Sequence, residues 1–186
     1  MRKLYFLFST LFISNKDLVQ DKLLGILPLK DGKVTYSDII ELQGVSKDEL
    51  YDRVKDWFII TYNSGKNVIQ LDDKEKGEVL GKGCFREKWR VRFYTSQIVN
   101  VWKTIKIQIK DGQIRYEISD FKMKTIYLSS QYASLTDIGI PLEDWNKGND
   151  SNNRKFYPKI NTQIIALINS LEKAMRNKID DRWLRS

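Results

Sequence analysis

The stretch VNVWKTIKIQIK-DG-QIRYEI (Val99–Ile118) alternates apolar and polar residues on both sides of an Asp-Gly pair. Alternation with period two is the signature of a half-buried strand. Asp-Gly between two such runs is the strongest short hairpin signal. The turn sets the register, so Ile109 faces Ile114, Ile107 faces Tyr116 and Ile105 faces Ile118 on the apolar side. On the other side Lys106 faces Glu117 and Gln108 faces Arg115, a favourable arrangement of charge. Continued without interruption, the same ladder puts Trp102 opposite Phe121 on the polar side.

Working outward, Glu78 to Tyr94 reads as a longer strand, with Gly81 and Gly83 marking a bulge or bend. Beyond the bend, Phe85, Trp89, Val91 and Phe93 take one side, with Glu87 the exception. Arg86, Lys88, Arg90, Arg92 and Tyr94 take the other. Asn67–Asp72 is a short strand, and Asp73–Gly77 is the turn after it. Lys33–Leu42 alternates so that Val34, Tyr36, Ile40 and Leu42 share one side, with Asp38 the exception. Ser46 stands three residues before Glu49, a capping box that opens a helix. Leu50, Tyr51, Val54, Trp57, Phe58 and Thr61 form its apolar face, and it ends near Tyr62-Asn63 with Gly65 beyond.

On the C-terminal side, residues 129–156 hold clusters of Gly, Asn, Asp and Ser without a sustained period and read as a long loop. Asn149–Asn153 is expected to be its most mobile part. Pro158 fits a first helical turn. Ile160, Ile164, Leu167, Ile168, Leu171 and Met175 then make the stripe of a second helix. Asp180-Asp181 opposes the dipole at that end, so the last residues are expected to fray. The order strand, helix, four strands, helix predicts an α+β domain, an antiparallel sheet with two helices packed on one face. The expected organisation is a signal-like segment at 1–20, one domain over 21–180 and a tail at 181–186.

Composition narrows the chemistry. Of 186 residues, 41% are hydrophobic, which is enough for a core. There is one Cys and no His, so an internal disulfide, a Cys/His zinc cage and every mechanism that needs imidazole are excluded. The net charge is +8, and residues 88–128 contribute +6 of it with nine basic and three acidic side chains. Such asymmetry marks either a polyanion-binding surface or ordinary solubility charge.

The N-terminus bears on location. Met1-Arg2-Lys3 precedes the ten-residue apolar run LYFLFSTLFI (Leu4–Ile13), the pattern of a secretory signal. The run is too short to span a bilayer, so the chain is expected not to be transmembrane. No A-x-A cleavage triplet follows, and the absence of a following Cys excludes a lipoprotein anchor there. The alternative is a buried N-terminal strand in a cytoplasmic protein.

Several segments resemble a known family. Val34–Asp56 followed by Trp57, within it Gly44-Val45-Ser46-Lys47-Asp48-Glu49-Leu50-Tyr51, then Gly81-Lys82-Gly83, then Lys110-Asp111-Gly112 with Arg115-Tyr116, are similar to domain of unknown function 4468 of Bacteroidota proteins. The resemblance is strongest over residues 34–121. It implies a TBP-like β-α-β-β-β-β-α domain, usually in exported proteins. It implies no activity and carries over no catalytic residue. The label describes shape and is no evidence for DNA binding.

The candidate partner-binding face is Arg86, Lys88, Arg90, Arg92, Tyr94, Trp102, Lys106, Arg115 and Phe121, with Lys110 nearby. Basic residues among aromatics suit phosphate contact combined with stacking or apolar docking. The competing explanation is a solvated sheet face whose Lys and Arg block edge-to-edge association. Asp48, Asp52 and Asp56 at helical spacing read as a solvated face, with Glu49 pairing Arg53 and Asp52 pairing Lys55. Asp72-Asp73-Lys74-Glu75 lacks the spacing of a calcium loop, and Gly81-Lys82-Gly83 is not a phosphate-binding loop. Cys84 reads as a small core residue. No catalytic, metal or cofactor site is expected. The expected function is an exported envelope module, binding or structural, whose partner is a protein or an anionic surface such as lipid phosphate. Nucleic-acid binding through the same face is the alternative, and export would remove the chain from that substrate. An enzyme built on carboxylates, Lys or Tyr has no supporting spacing.

Overall fold

The structure is a computed structural model that describes residues 25–63, 65–92, 95–126, 139–145 and 151–177. A small hairpin, β1 (Leu29–Lys30) and β2 (Lys33–Val34), precedes the main sheet. The chain then runs β3 (Tyr36–Glu41), α1 (Lys47–Tyr62), a one-turn α2 (Gly65–Val68), β4 (Ile69–Asp73), β5 (Glu78–Arg92), β6 (Thr95–Lys110) and β7 (Gln113–Ile126). A short β8 (Ile140–Pro141), a 3-10 turn (Leu142–Asp144) and α3 (Ser151–Arg176) complete it. The antiparallel strands lie in the order β3-β7-β6-β5-β4, and β8 adds to β7. Both long helices cover one face, so the α+β arrangement is as expected.

The hairpin is the centre of the core. Asp111-Gly112 reverses the chain, and Ile109, Ile107 and Ile105 pair with Ile114, Tyr116 and Ile118. These isoleucines are almost fully buried, each stabilising the fold by roughly 1.5–3 kcal/mol. Only Gly112 takes a positive φ in the turn, at 73°. Asp111 also serves the first helix, because its carboxylate accepts the Lys47 N–H at 2.7 Å. It thereby meets an unpaired donor and the positive end of the α1 dipole. The Ser46 hydroxyl accepts the Glu49 N–H at 3.3 Å. Glu49 does not reach back to close the box. Its carboxylate accepts from Arg53 at 2.6 Å, and Arg53 also donates to the Met175 carbonyl at the end of α3. Arg53 is therefore buried as the charged link between the helices.

Gly81 and Gly83 do not mark a bulge in the β5–β6 ladder, which runs through both without a shift. A Cβ on Gly81 would meet the Phe58 ring, and one on Gly83 the Tyr62 ring. The glycines let the aromatic end of α1 lie directly on the sheet. The irregularity falls instead in β4, between Ile69 and Leu71. Asn67 and Val68, expected in that strand, belong to α2.

The two charges out of pattern have physical causes. Asp38 points with the buried residues at the edge strand, and its carboxylate accepts the Ile39 N–H at 2.8 Å. An inward charge on an edge strand discourages pairing with another chain. Glu87 faces α3 and holds Lys159 at 3.3 Å.

The expected loop at 129–156 contains ordered structure. Ile140 and Pro141 pair with β7, Leu142 and Trp145 are buried, and Glu143 accepts the Val34 N–H at 2.6 Å. α3 begins at Ser151 rather than at Pro158, which lies inside it. The polar Ser151–Asn153 is therefore helical, because helix formation there depends on the packing of Phe156 and Tyr157 rather than on local propensity. The signal-like segment, Asn149 and Asp180-Asp181 lie outside the described residues.

Candidate functional site

The face of the sheet opposite the helices has no element on it among the described residues. The ladder pairings place Arg86, Lys88, Trp102, Lys106 and Arg115 on this face, as the alternation requires. Arg86, Lys88 and Arg115 are exposed, and Lys106 is half-buried. Arg90 and Arg92 belong to β5 by their backbone. Their side chains, and Tyr94, lie outside the described residues.

Phe121 is not on this face. It is 1% exposed and packs edge-on to Tyr36, with ring centres 6.1 Å apart. The cause is a bulge. Thr104 pairs with Ser119, but Trp102 pairs with Lys122, so Lys103 alone opposes both Asp120 and Phe121. Asp120 takes a left-handed φ of 52°, a conformation that Asp tolerates better than most residues. One extra residue moves every later side chain of β7 to the other face. Phe121 and Met123 turn inward, and Lys122 and Lys124 turn outward.

The bulge makes a site that simple alternation misses. Trp102, 41% exposed, lies between Cys84 and Lys122. Lys82, Thr104, Asp120, Lys122 and Lys124 join it around an open cup of about 280 Å3. Lys82 shares the strand parity of Arg86 and is legible on that basis. Lys122 and Lys124 carry no such signal. Cys84 corrects another expectation: it is half-buried on this face beside Trp102, not in the core. Burial pushes its thiol up, outweighing Lys103 and Arg86, so it stays protonated and is a poor nucleophile.

The two ends of the face differ in charge. Around Trp102 the described side chains are Lys82, Arg86, Lys88, Lys122 and Lys124 against Asp120, whose carboxylate lies 3.9 Å from Lys33. No ion pair engages Lys82, Arg86 or Lys122 among the described residues. At the hairpin end, Lys106, Lys110 and Arg115 share the face with Glu78, Glu117 and Glu41. There Lys106 pairs with Glu78, and Glu117 lies 3.9 Å from Lys30. Along the strands Lys106 lies four residues from Trp102, about 13 Å, and Arg115, opposite Gln108, about 20 Å. The expected nine-residue face is therefore two regions rather than one patch.

Beneath the cup, Lys103 points into the helix-covered side and is 4% exposed. Its ammonium lies over the rings of Phe85, at 4.8 Å, and Tyr62, at 5.5 Å. No carboxylate pairs with it among the described residues. Burial pushes its amine down to about 8. The Tyr62 phenol beside it is pushed up, also by burial, and its oxygen has no hydrogen-bond partner among the described residues.

Asp48 and Asp72 have structural partners. Asp72 accepts from Tyr51 and Lys55, so Lys55 pairs with Asp72 and not with Asp52. Lys74 is 3.7 Å from Asp48. Among the described residues no group of three or more Asp, Glu or Cys is placed to hold a metal ion.

Residues 36–124 match the model of the family described as "Domain of unknown function (DUF4468) with TBP-like fold". Over those residues the chain belongs to the DUF4468 family. Two solved structures share its fold. A TBP-like protein from Parabacteroides distasonis is 20% identical, with a TM-score of 0.61 over 82% of this chain and 98% of that one. A DUF4468 family protein from Bacteroides ovatus is 19% identical, with a TM-score of 0.63 over 86% of this chain and 96% of that one. No curated protein matches the chain. The fold is thus TBP-like, and the open sheet face and the helix-covered face are the two sides of this chain's DUF4468 domain.

Proposed function

We propose that this DUF4468 protein is an exported, non-catalytic binding module of the cell envelope that holds an anionic partner on the Trp102 end of its open face. The observation that carries the reading is the charge there: Lys82, Arg86, Lys88 and Lys122 against Asp120, around a half-exposed indole. Like charges held close together repel, and an anionic partner relieves that repulsion. Exposed Trp in such a setting adds apolar contact. The cationic start and apolar run of Met1–Ile13 support export. The absence of His and the protonated state of Cys84 support a binding role over catalysis. Among the described residues no helix is long and apolar enough to cross a membrane.

Nucleic-acid binding would use the same face. The burial of Phe121 weakens that reading, because Trp102 is then the one aromatic side chain on the face among the described residues. Stacking of successive bases draws on more than one platform.

The test is fractionation of cells making the full chain, with Trp102→Ala plus Arg86→Glu as the variant. The reading expects the native chain in the envelope fraction, released by high salt, and the variant released at low salt. Recovery of the native chain in the cytosol alone overturns it.

A further inference from the structure

The geometry points to a phosphate-bearing lipid surface as the partner, with Trp102 entering the headgroup layer and Lys82 and Lys122 holding phosphates around it. This rests on the reading that the face binds an anionic partner, and names that partner's chemistry.

Three features favour lipid phosphate. The cationic groups of the cup are lysines, point charges on flexible stems rather than planar forks. Such groups suit phosphates whose spacing is fluid, as in a bilayer, better than one phosphate gripped in fixed geometry. The apolar component is also of the right kind. Trp102 lies on the same face as Ile98, four residues along β6 and 46% exposed. An indole with a rim of lysines, and an exposed aliphatic side chain about 13 Å along the strand, matches the interfacial layer of a bilayer, where Trp sits at headgroup level and Lys stems lie along apolar surface. Finally, the cup is open, shallow and carried on a sheet with nothing described above it. A surface can meet Lys82 on β5, Trp102 on β6 and Lys122 on β7 at once, since neighbouring strands lie about 5 Å apart.

The experiment uses the full chain and vesicles of phosphatidylcholine with and without phosphatidylglycerol, read by co-sedimentation. Binding is expected only with the anionic lipid, and is expected to weaken with salt. Lys82→Gln with Lys122→Gln is expected to lose about fivefold per lysine, roughly 25-fold together. Lys110→Gln with Arg115→Gln, at the far end of the face, is expected to lose less than about threefold, since screening acts within about 8 Å at physiological salt. Quenching of indole fluorescence by brominated lipid is expected for the native chain and is expected to be largely lost in Trp102→Phe. Equal binding to both vesicles, or equal losses in the two double variants, overturns the proposal. So does tighter binding of a single-stranded oligonucleotide than of anionic vesicles, which moves the assignment to nucleic acid. If vesicles are ignored while envelope retention still depends on Trp102 and Arg86, the lipid assignment falls and the envelope reading stands.

Discussion

The hairpin end and the Trp102 end of the open face are built from the same residue types on the same three strands. They differ in what stands opposite each cation. At the hairpin end the ladder is regular, and lysine finds carboxylate on the neighbouring strands: Lys106 faces Glu117 across the ladder and pairs diagonally with Glu78. At the Trp102 end a single inserted residue has changed the parity of β7, so Lys122 and Lys124 join cations already there instead of Phe121 and Met123. A regular ladder thus neutralises itself, and a bulge accumulates charge. The structure places the unbalanced charge where the chain departs from strict alternation.

The comparison can be broken most directly at Phe121. A residue on the open face would tolerate truncation, as Trp102→Ala is expected to, at under about 1 kcal/mol. A core residue would not. Phe121→Ala is expected to destabilise by about 3–5 kcal/mol in urea unfolding. Equal, small costs for the two variants would place Phe121 outside and remove the bulge.

Lys103, which the bulge faces, offers the next largest effect with the opposite sign. Its amine loses a proton near pH 8 in the folded chain and near its ordinary value of 10.5 when unfolded. Between these values the unfolded state holds more protons, so this group makes stability rise with pH across that window. Below pH 8 the burden is full. Lys103→Met is expected to stabilise by up to roughly 3 kcal/mol at pH 7, and the gain is expected to vanish above pH 10.5. A variant that is less stable at every pH would show that the ammonium has a compensating partner.

The hairpin end should respond through backbone order more than through charge. Asp111→Ala removes the acceptor at the start of α1 and is expected to cost about 1 kcal/mol, read as a lower urea midpoint. Lys106→Gln breaks the pair with Glu78 and is expected to change stability by under about 0.5 kcal/mol, since the lysine is partly solvated. A larger loss would mean that this end relies on its ion pairs for cohesion.

Much of the architecture is legible in the residues alone. Ile105, Ile107, Ile109, Ile114 and Ile118 declare their face by alternation, and Asp111-Gly112 declares the reversal. Leu50, Val54, Trp57 and Phe58 declare a helix face by their spacing. The candidate site is legible only in part. Arg86, Lys88 and Trp102 follow from alternation on β5 and β6, upstream of any shift. Lys122 and Lys124 do not, because no residue near Asp120 advertises an inserted position. Gly81-Lys82-Gly83 reads as a bulge or bend because glycine in a strand also serves close approach, and only the position of the Phe58 and Tyr62 rings reveals that use. The helical start at Ser151 is hidden for a similar reason: Ser-Asn-Asn has no helical preference, and the segment is recruited into the helix by the burial of Phe156 and Tyr157.

The amino-acid order alone determined that this chain is a basic α+β protein with a hairpin-centred sheet and two amphipathic helices. Those are local properties, set by periodicity, turn chemistry and caps within a few residues. Which side chains share a surface was decided by the assembled sheet. A shift of one position between β6 and β7 costs little locally but reverses the side of everything beyond it. That choice is made by the burial of Phe121 and Met123 under the helices, a long-range contact that no local window contains.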